Sequence, residues 1–420
     1  MWRADAGTVG TRAGETVYLK MILPLLWALL AGLALALSWV TGTATFAWVG
    51  YAMLAVLAIG LTTSRLGERG LRADRWLSAD RIPFGGQVEV EVEVENRSVL
   101  PAVWVHAAET LPAGLSMIGV RGRVGPLGAK DHFRFRYTLQ GSRRGYYDLG
   151  PTILRTGDLF GLSSRERAAG PASGLIVYPK IVAIRHARPL SRRTGDVRAR
   201  HRVLEDPAQV VGIRPYQRTD GLKRVHWRAT AHTGRLQAKL YELTAQVETA
   251  IAVSLRRSDY AAAPGEAQES AELAMVAAAS IAQHVLDRRQ RTALIAVGRD
   301  PLAWGASTAV RVSPGRGREQ LASILSVLGR MSLGDCESMA AVLERMKEGL
   351  VWGSLVVVIA PAVDEELLRA LLSLRTSGFD TNVILVGRGA WLAAEQAALD
   401  AIGITATQVR SEADVRALGV

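Results

Sequence analysis

Two uncharged apolar stretches, Met21–Val40 and Phe46–Leu61, stand in tandem near the start of this 420-residue chain, joined by a link built on Thr41-Gly42-Thr43. A helix rises about 1.5 Å per residue, so about 20 residues with their uncharged flanks reach across a hydrocarbon core roughly 30 Å thick. Trp27, Trp39, Trp48 and Tyr51 are of the type that anchors at the membrane–water boundary. A secretory signal peptide cleaved after Ala34-Leu35-Ala36 is the alternative. The length of the first run and the presence of a second behind it favour a transmembrane hairpin over residues 20–63.

Flanking charge orients such a hairpin. Arg3, Arg12 and Lys20 precede it, Arg65, Arg69, Arg72, Arg75 and Arg81 follow it, and nothing charged lies between. Basic residues stay on the cytoplasmic side, so both termini and everything after residue 65 are expected there. The lone cysteine, Cys336, excludes an intramolecular disulfide framework and agrees with that placement. The chain carries 51 basic and 39 acidic residues, net charge +12. Much of the excess sits between Arg185 and Arg202, which holds one acid, Asp196. Close to a bilayer this run suits anionic lipid. No nucleic acid is expected as a partner, because no recognised motif or aromatic interleaving accompanies it.

Beyond the hairpin the periodicity changes twice. Gln87 to Glu95 alternates Val with Glu, and a second run places Phe133, Phe135, Tyr137 and Leu139 on one face with Arg134 and Arg136 on the other. Period two describes half-buried antiparallel strands. With short β-rich runs at Val103-Trp104-Val105 and Tyr146-Tyr147, residues 76–178 read as an all-β sandwich, Ig-like in size. From residue 248 to 420, apolar strands alternate with helices. Ile251–Leu255, Thr292–Val297, Leu355–Ile359 and Val383–Val386 read as buried parallel strands. Helices are expected around Leu273–Leu286, Gln320–Leu328, Met339–Met346, Glu365–Leu374 and Ala390–Leu399. That is the pattern of a doubly wound α/β domain.

Between the two modules, residues 179–247 read as a basic linker that carries the densest chemistry of the chain. Arg214 to Trp227 runs R-x-Y-x-x-x-D-x-x-K-R-x-H-W, with Arg214, Tyr216, Asp220, Lys223, Arg224, His226 and Trp227 as its marked positions. It resembles the signature of the domain-of-unknown-function 58 family, with Thr219 where that family usually has Gly. Arg144-Gly145-Tyr146, Leu149-Gly150-Pro151 and Asp158-Leu159-Phe160-Gly161-Leu162 also resemble the family's pattern ahead of the signature. The resemblance implies a bacterial inner membrane protein whose last domain has the von Willebrand factor type A fold. It also implies partners: a MoxR-type AAA+ ATPase and a transglutaminase-like membrane protein.

Type A domains often hold a divalent cation through D-x-S-x-S after the first strand. Here that stretch is Val253-Ser254-Leu255-Arg256-Arg257-Ser258, and a later strand ends at Ile359-Ala360-Pro361. No carboxylate appears in either, whereas hard cations take oxygen ligands that usually include carboxylates. A degenerate site near Ser254 and Ser258, without metal or other cofactor, is therefore expected. Gly387-Arg388-Gly389 is a weak dinucleotide-turn signal, because Leu392 stands at the third glycine position.

Two functional readings follow. In the favoured one the protein is a membrane-tethered, non-catalytic binding or scaffold protein. Arg214, Asp220 and His226 then form a buried polar network, with Trp227 packed below. In the other it is an enzyme, with His226 as base, Asp220 orienting it and Thr230 or Thr233 as nucleophile.

Overall fold

The computed structural model describes residues 9–185, 204–217, 220–244, 248–260, 264–303, 308–387 and 393–418. Most of the basic run between Arg185 and Arg202, Thr219 of the signature, and the turn residues Arg388 to Leu392 lie outside the described residues. The chain divides into two compact units, Met1–Val177 and Tyr178–Val420.

The first unit opens with α1 (Val9–Thr41) and α2 (Ala44–Gly70). Both helices are long and apolar enough to cross a membrane, and only 6% and 11% of their apolar windows are buried. A helix in a soluble core would hide such a surface; here Leu25, Leu29, Trp39, Val40, Trp48 and Tyr51 are exposed. The Trp27 indole donates to the Met53 carbonyl at 3.0 Å, which joins the two helices. α2 outlasts its uncharged run, continues through Arg65, Glu68 and Arg69, and passes directly into β1 (Leu71–Leu77).

There follow β2 (Arg81–Ile82), β3 (Gln87–Asn96), β4 (Ala102–Ala108), β5 (Leu115–Gly119), β6 (Gly122–Leu127), β7 (His132–Gly141), β8 (Gly145–Leu149), β9 (Thr152–Gly157), β10 (Ser164–Ala169) and β11 (Ser173–Val177). They form two four-stranded sheets, ordered β1-β3-β7-β5 and β10-β9-β4-β6, and a three-stranded sheet β2-β11-β8. Val88, Val90, Val92, Val94 and Leu139 of the first sheet share one core with Val105, Ala107 and Leu154 of the second. Full burial of such a side chain is worth about 1.5–3 kcal/mol over leaving it in water, so the alternation of β3 sets its register. The opposite face of β3 is a charged ladder with β7: Arg134 reaches Glu93 at 3.0 Å and Arg136 reaches Glu91 at 3.2 Å.

One flanking charge is not on the surface. Arg75, counted above among the residues that orient the hairpin, lies on β1 with its side chain 2% exposed, paired with Glu109 at 2.6 Å. The alternation of β1 turns it into the core, where only a buried carboxylate makes a guanidinium tolerable.

In the second unit, β12 (Leu204–Pro215) and β13 (Gln237–Thr244) form a two-stranded antiparallel sheet, with α3 (Trp227–Thr233) in the excursion between them. The part of the presumed linker around the signature is thus ordered structure. Then come β14 (Glu248–Ser254), α4 (Pro264–Asp287), β15 (Arg291–Gly298), β16 (Thr308–Gly315), α5 (Gly317–Arg330), α6 (Met339–Met346), β17 (Leu355–Ala360), α7 (Glu365–Thr376), β18 (Asp380–Val386), α8 (Ala393–Ala401), β19 (Thr405–Val409) and α9 (Glu412–Arg416). The six-stranded sheet runs β16-β15-β14-β17-β18-β19. All its pairs are parallel except β16 on β15.

Alternate residues of β14 serve opposite faces of this sheet. Ile251 and Val253 pack with Ala274, Ala278 and Ile281 of α4 and Ile324 and Leu328 of α5. Ala250 and Ala252 pack with Val342 and Leu343 of α6 and Leu367 and Leu371 of α7. Cover on both faces explains why the central strands read as unbroken apolar runs. The edge strands β16 and β19 are less buried and more polar, and neither stands out as a strand in the sequence.

Candidate functional site

The signature is built on the end of the β12–β13 pair. Arg214 lies opposite Ala238 and Pro215 opposite Gln237, after which the chain leaves the sheet and returns through an isolated bridge from Val225 to Ala238. Asp220 is the hub of this excursion. Its carboxylate accepts both Arg214 Nη atoms, at 2.8 and 2.6 Å, and the Gln217 N–H at 2.9 Å. Arg224 stands 3.8 Å away, and the Tyr216 hydroxyl donates to the Asp220 carbonyl at 2.6 Å. A two-pronged guanidinium–carboxylate contact fixes orientation as well as charge.

These hydrogen bonds, first those from Arg214 and then the Gln217 N–H, hold the Asp220 carboxyl below the usual Asp range. A carboxylate whose folded value is depressed stabilises the structure above its unfolded value, about 3.9, and loses that stabilisation as pH falls through the folded value. Hydrogen-exchange mass spectrometry should therefore show the hydrogen-bonded amides of Tyr216, Gln217 and Asp220 protected at neutral pH, with loss only below about pH 4. Asp220→Asn should show the loss already at neutral pH. Equal protection of variant and native chain there would deny Asp220 its place as hub.

His226 does other work. Its backbone N–H donates to the Gln237 carbonyl at 2.8 Å, and its Nδ1 accepts the Ala229 N–H at 3.0 Å, capping α3. An accepting Nδ1 carries no proton, so the ring is assigned as the Nε2–H tautomer. No hydrogen bond joins His226 to Asp220 among the described residues. Thr230 Oγ1 accepts the Gln237 N–H at 3.0 Å, and Thr233 Oγ1 donates to the Ala229 carbonyl at 2.9 Å. The acid–base pair and nucleophile of the enzyme reading are thus not assembled here, and the polar network joins Arg214, Tyr216 and Asp220 without His226.

Trp227 is a second correction. It does not pack below the network but stands 66% exposed, with Leu222 nearby in sequence at 71%. Trp227 opens α3, a seven-residue helix with no buried residue, so no interior is available to receive the indole. Lys223 is exposed as well.

The strand ends of the large sheet hold the other predicted position. Ser254 Oγ donates to Asp259 Oδ2 at 2.8 Å, and Ser258 Oγ lies 3.5 Å from Asp259 Oδ1. The Arg256 guanidinium donates to Asp259 at 2.5 Å and lies 3.7 Å from Asp364, which caps α7 through the Leu367 N–H at 2.8 Å. Two carboxylates are therefore present, one residue beyond Ser258 and three beyond Pro361, just outside the stretches in which the sequence shows none. Both already face a fixed positive charge. Like unit charges at roughly 4 Å repel by about 4 kcal/mol at an effective dielectric near 20, and a dication would double that. This donor set does not fit a divalent cation while Arg256 holds it. Cys336 lies close by, its thiol pushed up to about 11 by burial and then by Asp259; this is the opposite of an activated nucleophile.

Residues 212–387 match the family described as protein of unknown function DUF58. No curated protein matches the chain. Among solved structures it is similar to a von Willebrand factor type A protein from Catenulispora acidiphila, at 13% identity and a TM-score of 0.30, over 43% of this chain and 42% of that one. The chain thus spans under half the length of that protein. It is also similar to an aerotolerance-related membrane protein from Bacteroides fragilis, at 14% identity and a TM-score of 0.25, over 40% of this chain and 94% of that one. A third likeness is to the cupredoxin domain of amoB from Nitrosocaldus yellowstonii, at 12% identity and a TM-score of 0.20, over 27% and 89% of the two chains. The residues that match the DUF58 family of proteins of unknown function, 212–387, hold the Arg214–Trp227 segment and the elements from β14 to β18.

Proposed function

We propose that this protein is a membrane-tethered, non-catalytic docking scaffold, held in a bacterial inner membrane by α1 and α2 with its soluble parts in the cytoplasm. In the same reading the β module is an Ig-like sandwich and the six-stranded domain is doubly wound and type A-like. The observation that carries the docking role is the division of labour within the signature. Arg214, Tyr216, Asp220 and the His226 Nδ1 are spent on internal hydrogen bonds, while Leu222 and Trp227 face solvent. A stiff turn that exposes a Trp suits protein recognition, where Trp is enriched among the residues that dominate affinity.

The partner class rests on the family resemblance: a MoxR-type AAA+ ATPase first, and a transglutaminase-like membrane protein second. Neither a metal nor another cofactor has a role in this reading. Pull-down of the full chain from detergent extract, with and without ATP, is the direct test. Recovery of an AAA+ ATPase in at least one nucleotide state is expected. Its absence in both would remove the partner from the proposal.

A further inference from the structure

We propose that the turn Asp158–Ser163 between β9 and β10 is a second membrane contact, which places Leu159 and Phe160 in the headgroup–acyl boundary beside α2. The inference rests on the reading of α1 and α2 as a membrane hairpin and extends it to the sandwich.

The turn is rigid. Asp158, 2% exposed, accepts N–H groups from Phe160, Leu162 and Ser163 at 3.2, 3.3 and 2.7 Å. Gly161 takes the left-handed conformation (φ +70°) that closes the loop, and Leu162 is buried beneath it. This framework pushes two large apolar side chains outward, Leu159 at 72% and Phe160 at 53% exposure. In water such a display is a cost with no return inside the unit.

Its position supplies the return. The Ser64 hydroxyl of α2 donates to Ser163 Oγ at 3.0 Å. A Cβ placed on Gly60 would meet Asp158 Oδ2 at 3.0 Å, so the glycine admits the turn against the helix. Further along α2, Glu68 lies 3.6 Å from Arg165. The turn is therefore level with Gly60–Ser64. That is where the apolar run ends, at Leu61, one helical turn before the first charge, Arg65. If α2 crosses a bilayer, this level is the boundary between acyl chains and headgroups, where aromatic side chains concentrate. The solvent around Leu159 and Phe160 is then lipid.

The test uses the full chain in nanodiscs of phosphatidylcholine and phosphatidylglycerol, with Cys336→Ser as background. Nitroxide labels are placed at Phe160→Cys, at Ala52→Cys in the middle of the α2 apolar run, and at Glu89→Cys on the charged face of β3. Power-saturation EPR then compares collisions with oxygen, which partitions into lipid, and with a nickel chelate, which stays in water. The oxygen-to-nickel ratio at position 160 should lie between those at 52 and 89 and several-fold above that at 89. Leu159→Cys, which keeps Phe160, should report the same. A water-like ratio at both 159 and 160 with a lipid-like ratio at 52 would overturn the contact and leave the hairpin standing. A water-like ratio at 52 would overturn the hairpin and the contact with it. Labels at 159 and 160 shielded from both reagents would mean that protein covers the turn, which also overturns the proposal.

Discussion

Truncating either partner of the buried Arg75–Glu109 pair is expected to destabilise the protein by about 3–5 kcal/mol, because the remaining charge is left uncompensated in the core. The two side chains are each 2% exposed and meet at 2.6 Å. Thr152 Oγ1 ties them together, donating to Glu109 Oε1 at 2.6 Å and accepting from Arg75 Nη2 at 3.1 Å. Arg75 Nη1 also donates to the Leu149 carbonyl at 2.5 Å. Burial and then the Glu109 charge push the Tyr137 hydroxyl well above its usual value. Arg75→Ala and Glu109→Ala should both show the loss in pulse proteolysis of the full chain across a urea series. Arg75→Met combined with Glu109→Leu should recover most of it, since apolar packing replaces buried ion pairs at little net cost. A loss under about 1 kcal/mol for both single variants would place the pair in the class of solvated salt bridges. The pair matters for function because β1 follows α2 without a linker, so Arg75 fastens the first strand after the hairpin to the rest of the sandwich.

Trp227→Ala is expected to weaken docking to the proposed AAA+ partner by a factor of about 30 or more, the scale of a 2 kcal/mol interface anchor. The melting temperature should stay within a degree or so, since an exposed side chain on α3 supports no core. Leu222→Ala should act in the same direction with a smaller effect. Affinity measured by biolayer interferometry on detergent-solubilised protein, beside a thermal melt, separates the two quantities. Unchanged affinity with Trp227→Ala would move the docking surface elsewhere. A large drop in melting temperature would instead make the Trp structural.

Much of the architecture was legible because its physical cause is local. The Val–Glu alternation of β3 and the aromatic–Arg alternation of β7 follow from one face buried and one wet. The unbroken apolar runs of β14, β15, β17 and β18 follow from burial on both faces. Strands such as β16 and β19 escaped because an edge imposes only a weak pattern, and β12 because its sequence, with Pro207 and Gly212 inside, resembles a loop. The candidate site was legible in its residues and illegible in its pairings. Arg214 and Asp220 belonged together as expected, but the spacing of Asp220 and His226 did not reveal that His226 spends its Nδ1 on the next helix.

The sequence by itself determined the apolar hairpin, the order of β and α/β modules and the site of the signature, since each depends on periodicity or composition along the chain. Tertiary structure alone decided which charges meet. Arg75 left the set of surface charges for a buried pair with Glu109, 34 residues away. Asp364 came within 3.7 Å of Arg256 from another strand end. The Asp158 turn came to rest on α2 at Ser64. Pairing between distant residues is fixed by packing geometry, and linear spacing carries no record of it.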